Sequence, residues 1–360
     1  MRKNIVPLFA GMLMLSLAFV SGALGAVSDA TFLELCGTGT PEEVRVALAE
    51  GADVNLRDEN DSTPLMTAAE RNPNPEVVTV LAGAGADIHA RTEQGMTALL
   101  LAAGQNPNPE VVMALLRSGA DVKARDAEGF SALMVAAGKN PNPAVSTALV
   151  EAGAEVNIRN VLGVTPLMLA AGYGADAGIV SSLIRAGADV NARDESGETA
   201  LMFASGENAD SEVVVALLGA GANIHARNHE GWTSLMKAAA FNRNPRVVAV
   251  LLEAGAEIEA RSEENETALM KAATHTRNPE ILLTLINAGA EVNARTRTGW
   301  TALFYAARFT SHPEVVVALL QAGADAALVD NRGERAVDIA RRNKRLKNTE
   351  ALQKLENMSQ

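Results

Sequence analysis

His225 and His229 stand four residues apart, the spacing at which two imidazoles on one helix face hold zinc. They fall on a hairpin-like stretch just before Gly231, so two solvated loop residues is the simpler reading. The chain has no Gly-rich phosphate loop, no metal-type Cys/His spacing and no His beside a plausible nucleophile in sequence. No catalytic residue, metal or cofactor is therefore expected. Cys36 is the single cysteine, which excludes an intrachain disulfide. With no neighbouring base it reads as a small apolar packing residue.

Two recurring sets of side chains remain. Arg57, Arg91, Arg125, Arg159, Arg193, Arg227, Arg261 and Arg295 share one phase and could form an anion-binding track. Each has an acid nearby, such as Asp53 and Asp58 or Asp189 and Asp194, so a paired or solvated ladder is the stronger reading. A recognition surface should also differ from unit to unit, and this ladder does not. The second set does differ: it comprises Trp232, Lys237 and Phe241, then Glu266, Lys271 and His275, then Trp300, Tyr305 and Phe309. Both tryptophans fall here, and Trp and Tyr favour interface hot spots. The candidate partner-binding residues are Trp232, Lys237, Phe241, Lys271, His275, Trp300, Tyr305 and Phe309. Packing between adjacent units is the competing explanation for the same side chains.

Both sets recur because the chain does. The stretch Ile88 to Ala120 turns at Gly95, runs through Thr97 to Ala103, pauses at Asn106-Pro107-Asn108-Pro109 and stops at Gly119; a shift of 34 residues lays it on itself. A unit of this size cannot bury its own apolar face, so the 360 residues form one elongated stack rather than two or three globular domains. Eight complete units run 53–86, 87–120, 121–154, 155–188, 189–222, 223–256, 257–290 and 291–324. Residues 27–52 read as an N-terminal capping helix pair, and 325–360 as the C-terminal cap and tail, with the basic run Arg341 to Lys347 on the last helix.

Each phase has a physical reason. The turn carries Asp61, Gly95, Gly129, Gly163, Gly197, Gly231, Asn265, Gly299 or Gly333, the residue types that tolerate a positive φ. Two residues on, Thr63, Thr97, Ser131, Thr165, Thr199, Thr233, Thr267 and Thr301 are expected to cap a first helix. The second helix is expected to start at Thr40, Asn74, Asn108, Asn142, Asp176, Asp210, Asn244 or Asn278, with His312 the exception, often followed by Pro. Val77 and Leu81, with their equivalents, lie four apart and so share its buried face. Gly51, Gly85 and their successors to Gly323 end it.

This pattern, with Thr63-Pro64-Leu65 and Ala68-Ala69 on the first helix and Gly51-Ala52-Asp53 closing the second, resembles the ankyrin repeat over about residues 29 to 345. The resemblance implies an all-α ankyrin-repeat solenoid of stacked helix pairs with short β-hairpin loops, whose hairpin tips and first helices line a concave surface. It also implies a non-catalytic role in binding another protein. Two departures stand out. The family's usual period is 33, and the extra residue here falls in the loop Asn72 to Pro75. The His that usually follows Thr-Pro-Leu is Met66, Leu100, Met134, Met168, Met202, Met236, Met270 or Phe304, which exchanges a hydrogen-bonding link between units for apolar packing.

The first 26 residues differ in kind: Arg2 and Lys3 precede the apolar run Ile5 to Val20 and a small-residue stretch to Ala26. That reads as a signal peptide cleaved near Gly25 or Ala26, and hence as export to a periplasm or the exterior. Retained, it would be long enough to span a bilayer, making the stack a membrane-tethered spacer. Cleavage removes two of the 31 basic residues and leaves 29 against 43 acids, a net charge of −14. Such a balance argues against nucleic acid as a partner. A small-ligand carrier using the concave groove is the other alternative, and stacked repeats disfavour the deep pocket it needs.

Overall fold

The computed structural model describes residues 27–174, 177–276 and 278–359. The expected signal peptide (1–26) and the cap expected at Asp176 lie outside the described residues. Among the described residues twenty helices form ten successive pairs, from Asp29–Thr38 with Pro41–Ala49 to Ala336–Ala340 with Glu350–Met358. Among the described residues no strand forms, and the hairpins reach only isolated bridges, Arg125 with Ser131 and Val329 with Arg335. The fold is an all-α solenoid of stacked helix pairs joined by short hairpin loops.

Local chemistry sets each boundary. The Thr63 hydroxyl accepts the Met66 N–H at 3.3 Å, and the same bond recurs at Thr97, Ser131, Thr165, Thr199, Thr233 and Thr267. Thr301 is a departure from expectation: it makes no side-chain cap, in the one unit where Phe304 stands for the methionine or leucine. Asn74, Asn108, Asn142, Asp210, Asn244 and Asn278 cap the second helices, and His312 caps nothing. All nine turn residues have positive φ, including Asp61 at 62° and Asn265 at 61°. The core runs unbroken between the two helix layers, with Val77, Leu81, Val111, Leu115, Val145 and Leu149 at 0% exposure. Each such side chain contributes roughly 1.5–3 kcal/mol. Ala68, Ala69 and their equivalents let first helices approach closely and are themselves buried.

Two devices join one unit to the next. The first Asn of the inter-helix loop is buried and reaches backward: Asn106 donates to the carbonyls of Ala69 (3.0 Å) and Asn72 (2.8 Å), and Asn72, Asn140, Asn208 and Asn242 do the equivalent. Gly174, Thr276 and Thr310 occupy this phase without the amide, and the Thr276 and Thr310 hydroxyls bond only within their own loops. The second device is the arginine ladder, which reaches forward. Arg57 donates to the Arg91 carbonyl at 2.9 Å, Arg91 to that of Arg125 at 2.6 Å, and the series continues to Arg295 and Val329. The partner common to every guanidinium is thus the next hairpin's backbone. Carboxylates add to it at some positions, as Asp61 does 2.7 Å from Arg57 and Glu257 3.8 Å from Arg227.

Two further expectations need correction. The methionines are not purely apolar fillers: Met66, Met168 and Met270 sulfurs each accept the N–H of their capping Thr at 3.4–3.5 Å, closing a reciprocal cap within the unit. The basic run does not lie on the last helix. Arg341 to Lys347 form turns between Ala340 and Glu350, because Asn343 takes the loop role and donates to the Ala307 and Thr310 carbonyls. There Arg341 meets Glu356 at 3.0 Å and Arg342 meets Glu334 at 2.7 Å.

Candidate functional site

The hairpin tip delivers one residue of the variable set per unit and the first helix two more, so three consecutive units build a patch. In unit six Trp232 follows the turn at Gly231, while Lys237 and Phe241 lie four apart on helix Ser234–Phe241. Trp232 and Phe241 stack with centroids 5.8 Å apart and planes 8° apart. The ammonium of Lys237 lies 5.5 Å from the Trp232 ring and that of Lys271, from unit seven, 4.0 Å. One indole therefore receives a cation from its own unit and another from its neighbour, an attraction of roughly 0.5–2 kcal/mol each. Each cation is balanced, Lys237 by Glu198 and Lys271 by Glu266, and the second pair is almost wholly buried. Removing one partner of such a pair would strand the other, which is costly.

The Tyr305 hydroxyl of unit eight lies near the same Glu266 carboxylate. Burial, then this carboxylate, pushes the Tyr305 hydroxyl well above its ordinary range, so it stays protonated as a donor. Trp300 meets Tyr305 edge-on at 5.2 Å and lies 6.4 Å from Phe309, and its indole N–H donates to Asp330 of the following unit at 3.2 Å. Burial opposes the ionisation of Asp330, but the N–H groups of Arg332 and Glu334 and the Trp300 indole outweigh it and hold its carboxyl below the usual range.

Exposure divides the eight candidates. Trp232, Trp300 and Tyr305 are half-buried against the core, and Lys271 is buried. Phe241 and Phe309 are each 46% exposed, and His275 stands between them in the same phase, tilted against Phe241 with centroids 5.6 Å apart. Burial, then the nearby Lys271 charge, lowers the His275 pKa. The patch is thus a projecting row, Phe241, His275 and Phe309, on a footing of aromatic and ion-paired side chains that cross the unit boundaries. A groove of about 490 Å³ beside Phe241 and His275 and one of about 380 Å³ beside Trp300 and Phe309 flank it. Neither brings together a nucleophile and a base. His225 and His229 do not converge on a third ligand: among the described residues no cluster of three His, Cys, Asp or Glu could hold a metal. Cys36 is fully buried, and desolvation pushes its thiol up to about 12.

Sequence reasoning passed over Glu198, which holds Lys237, and it placed Glu266 in the variable set without pairing it with Lys271. It also passed over an apolar groove of about 450 Å³ lined by Met96, Phe130, Val135, Leu169 and Tyr173. These occupy the same variable phases in units two to four. Reading those phases along every unit, rather than only where Trp and Tyr occur, would have found them.

No curated protein matches this chain. A family model described as ankyrin repeats (3 copies) matches at residues 32–126, 70–160, 133–228, 201–296 and 269–358, which together span almost the whole described stack. Such repeats generally mediate protein–protein interaction and are typically non-catalytic. With turn, cap, stop and core recurring in register and the family match covering them, the chain belongs to the ankyrin repeat family.

Proposed function

We propose that this chain is a non-catalytic scaffold that binds a partner protein through the hairpin and first-helix face of units six to eight. The observation that carries this reading is the row Phe241, His275 and Phe309: large rings projecting from three consecutive units, on a base too tightly paired to be incidental. Exposed aromatics held by rigid neighbours lose little entropy on binding and suit the centre of an interface. In this reading Trp232, Lys237, Trp300 and Tyr305 position the row and contribute their exposed edges, and the buried Lys271 holds Trp232 in place. The partner engages a surface 46% open at each Phe, not a pocket.

Residues 1–26 serve as a removable export signal, 27–52 and 325–360 as the two caps, and 53–324 as the eight-unit binding array of a periplasmic or secreted protein. The test immobilises the chain in an extract of the exported proteins of its own source, beside a folded Phe241→Ala/His275→Ala/Phe309→Ala variant. The expected result is a partner captured by the native chain and lost by the variant. A partner held equally by both moves the contact off this patch, and capture of none removes the scaffold reading. Mass spectrometry of the exported chain checks the leader, with a new N-terminus expected near Ala26 or Val27.

A further inference from the structure

The groove over units two to four lies away from the patch of units six to eight and differs from it in chemistry. Its floor is apolar and unpaired: Phe130 follows the turn of unit three, Val135 and Leu169 come from successive first helices, and Tyr173 stands 56% exposed at the far edge. The adjoining hairpin tip, in unit four, carries Val161 and Leu162, which are 67% and 62% exposed. Apolar side chains this open and this close together mark a surface that another chain covers.

Charge decides which kind of chain. Glu128 lines the groove at one end. At the other, Glu207 and then Glu198 act on Tyr173, whose hydroxyl is raised first by burial and then by these charges. Glu198 is engaged with Lys237, but among the described residues neither Glu128 nor Glu207 has a cationic partner. Lys139 is the single cation in the lining. A second copy of this chain, with net charge −12, would bring more negative charge to carboxylates already unpaired. An apolar segment flanked by lysine or arginine would satisfy both the floor and the rim.

We propose that the groove over units two to four is a second docking surface, and that its occupant is a basic amphipathic segment of a partner protein. With the patch on units six to eight, the stack then presents two separate stretches of one face and can hold two partners at once. No side chain that lines the groove belongs to the patch; Glu198 and Glu207 lie between the two, Glu198 paired with Lys237 and Glu207 beside Phe241.

The probe is a fluorescent leucine/lysine amphipathic peptide of about 18 residues, five helical turns, titrated into the full chain, with its leucine/glutamate counterpart as control. Saturable binding of the lysine peptide alone is expected. Tyr173→Ala and Glu128→Gln/Glu207→Gln, all at exposed positions and checked by circular dichroism, should each weaken it about tenfold, a typical loss at an interface anchor. Phe241→Ala/Phe309→Ala should leave it unchanged. Equal binding of both peptides, binding of neither, or indifference to Tyr173→Ala overturns the proposal. Loss of binding in Phe241→Ala/Phe309→Ala overturns it by placing the peptide on units six to eight. A concentration-dependent dimer abolished by Tyr173→Ala overturns the choice of occupant.

Discussion

At the scale of single residues, burial separates what holds the patch together from what it offers. Phe304 is 1% exposed and Phe241 and Phe309 are 46% exposed, although all three sit on first helices. Phe304→Ala should cost about 3–5 kcal/mol in urea denaturation, the range for emptying an aromatic core site. Phe241→Ala and Phe309→Ala should each stay within about 1 kcal/mol, as surface changes do. Trp232→Ala should fall between these limits, since it removes the ring beneath the buried Lys271. His275 adds a pH dependence. Its folded pKa lies below the ordinary imidazole value of about 6.5, so the unfolded chain binds the proton more readily. Its contribution to stability is fully present above pH 6.5 and is lost as pH falls through that value towards the folded pKa. Denaturation midpoints should therefore drop between pH 7.5 and 5.5, and His275→Gln should reduce the drop. An equal drop in the variant would assign it to other groups.

At the scale of elements, the sequence was legible wherever a residue type answers a local need. Positive φ demanded Gly, Asn or Asp at nine turns, and hydroxyl or amide caps announced helix starts, because cause and effect lie within four residues. What could not be read were partners 33 to 37 residues away. The backward reach of Asn106 and the forward reach of Arg91 show nothing in their own neighbourhoods, so acids close in sequence stood in for the true acceptors. The site divided the same way: the variable phases named the residues, but only packing distinguished the projecting Phe241 from the load-carrying Trp232.

Turn glycines illustrate the point further. An added Cβ at Gly231 would lie 2.8 Å from the Glu263 nitrogen of the next hairpin, where Glu263 donates to the Glu230 carbonyl. Gly255 has the same sign of φ but open space around it. Gly255→Ala should cost only the left-handed backbone strain, about 1 kcal/mol. Gly231→Ala adds a clash with the next hairpin and should lose measurably more in melting temperature; equal losses would show that φ alone selects glycine there.

At the scale of the whole molecule, a stack is as strong as its interfaces, because each unit touches only its neighbours. Asn72, Asn106 and Asn140 link the N-terminal cap to units one, two and three without a break, whereas Thr276 and Thr310 leave two adjacent C-terminal interfaces without the amide link. Each missing link is two buried hydrogen bonds, worth about 1 kcal/mol apiece. The contacts of Lys271 with Trp232 and of Tyr305 with Glu266 cross these same interfaces and return part of the loss, which ties the cohesion of units six to eight to the side chains that form the proposed binding face. Both tryptophans lie in this block, so indole fluorescence reports on it, while far-ultraviolet circular dichroism reports on every helix. The fluorescence transition should therefore precede the dichroism transition in urea. Thr276→Asn/Thr310→Asn supplies amides where the backward carbonyls of Ala239, Asn242, Ala273 and Thr276 wait at the equivalent phase, and it should raise the fluorescence midpoint more than the dichroism midpoint. Coincident transitions in the native chain, or equal shifts in the variant, would show that the stack unfolds as one cooperative unit despite its uneven links.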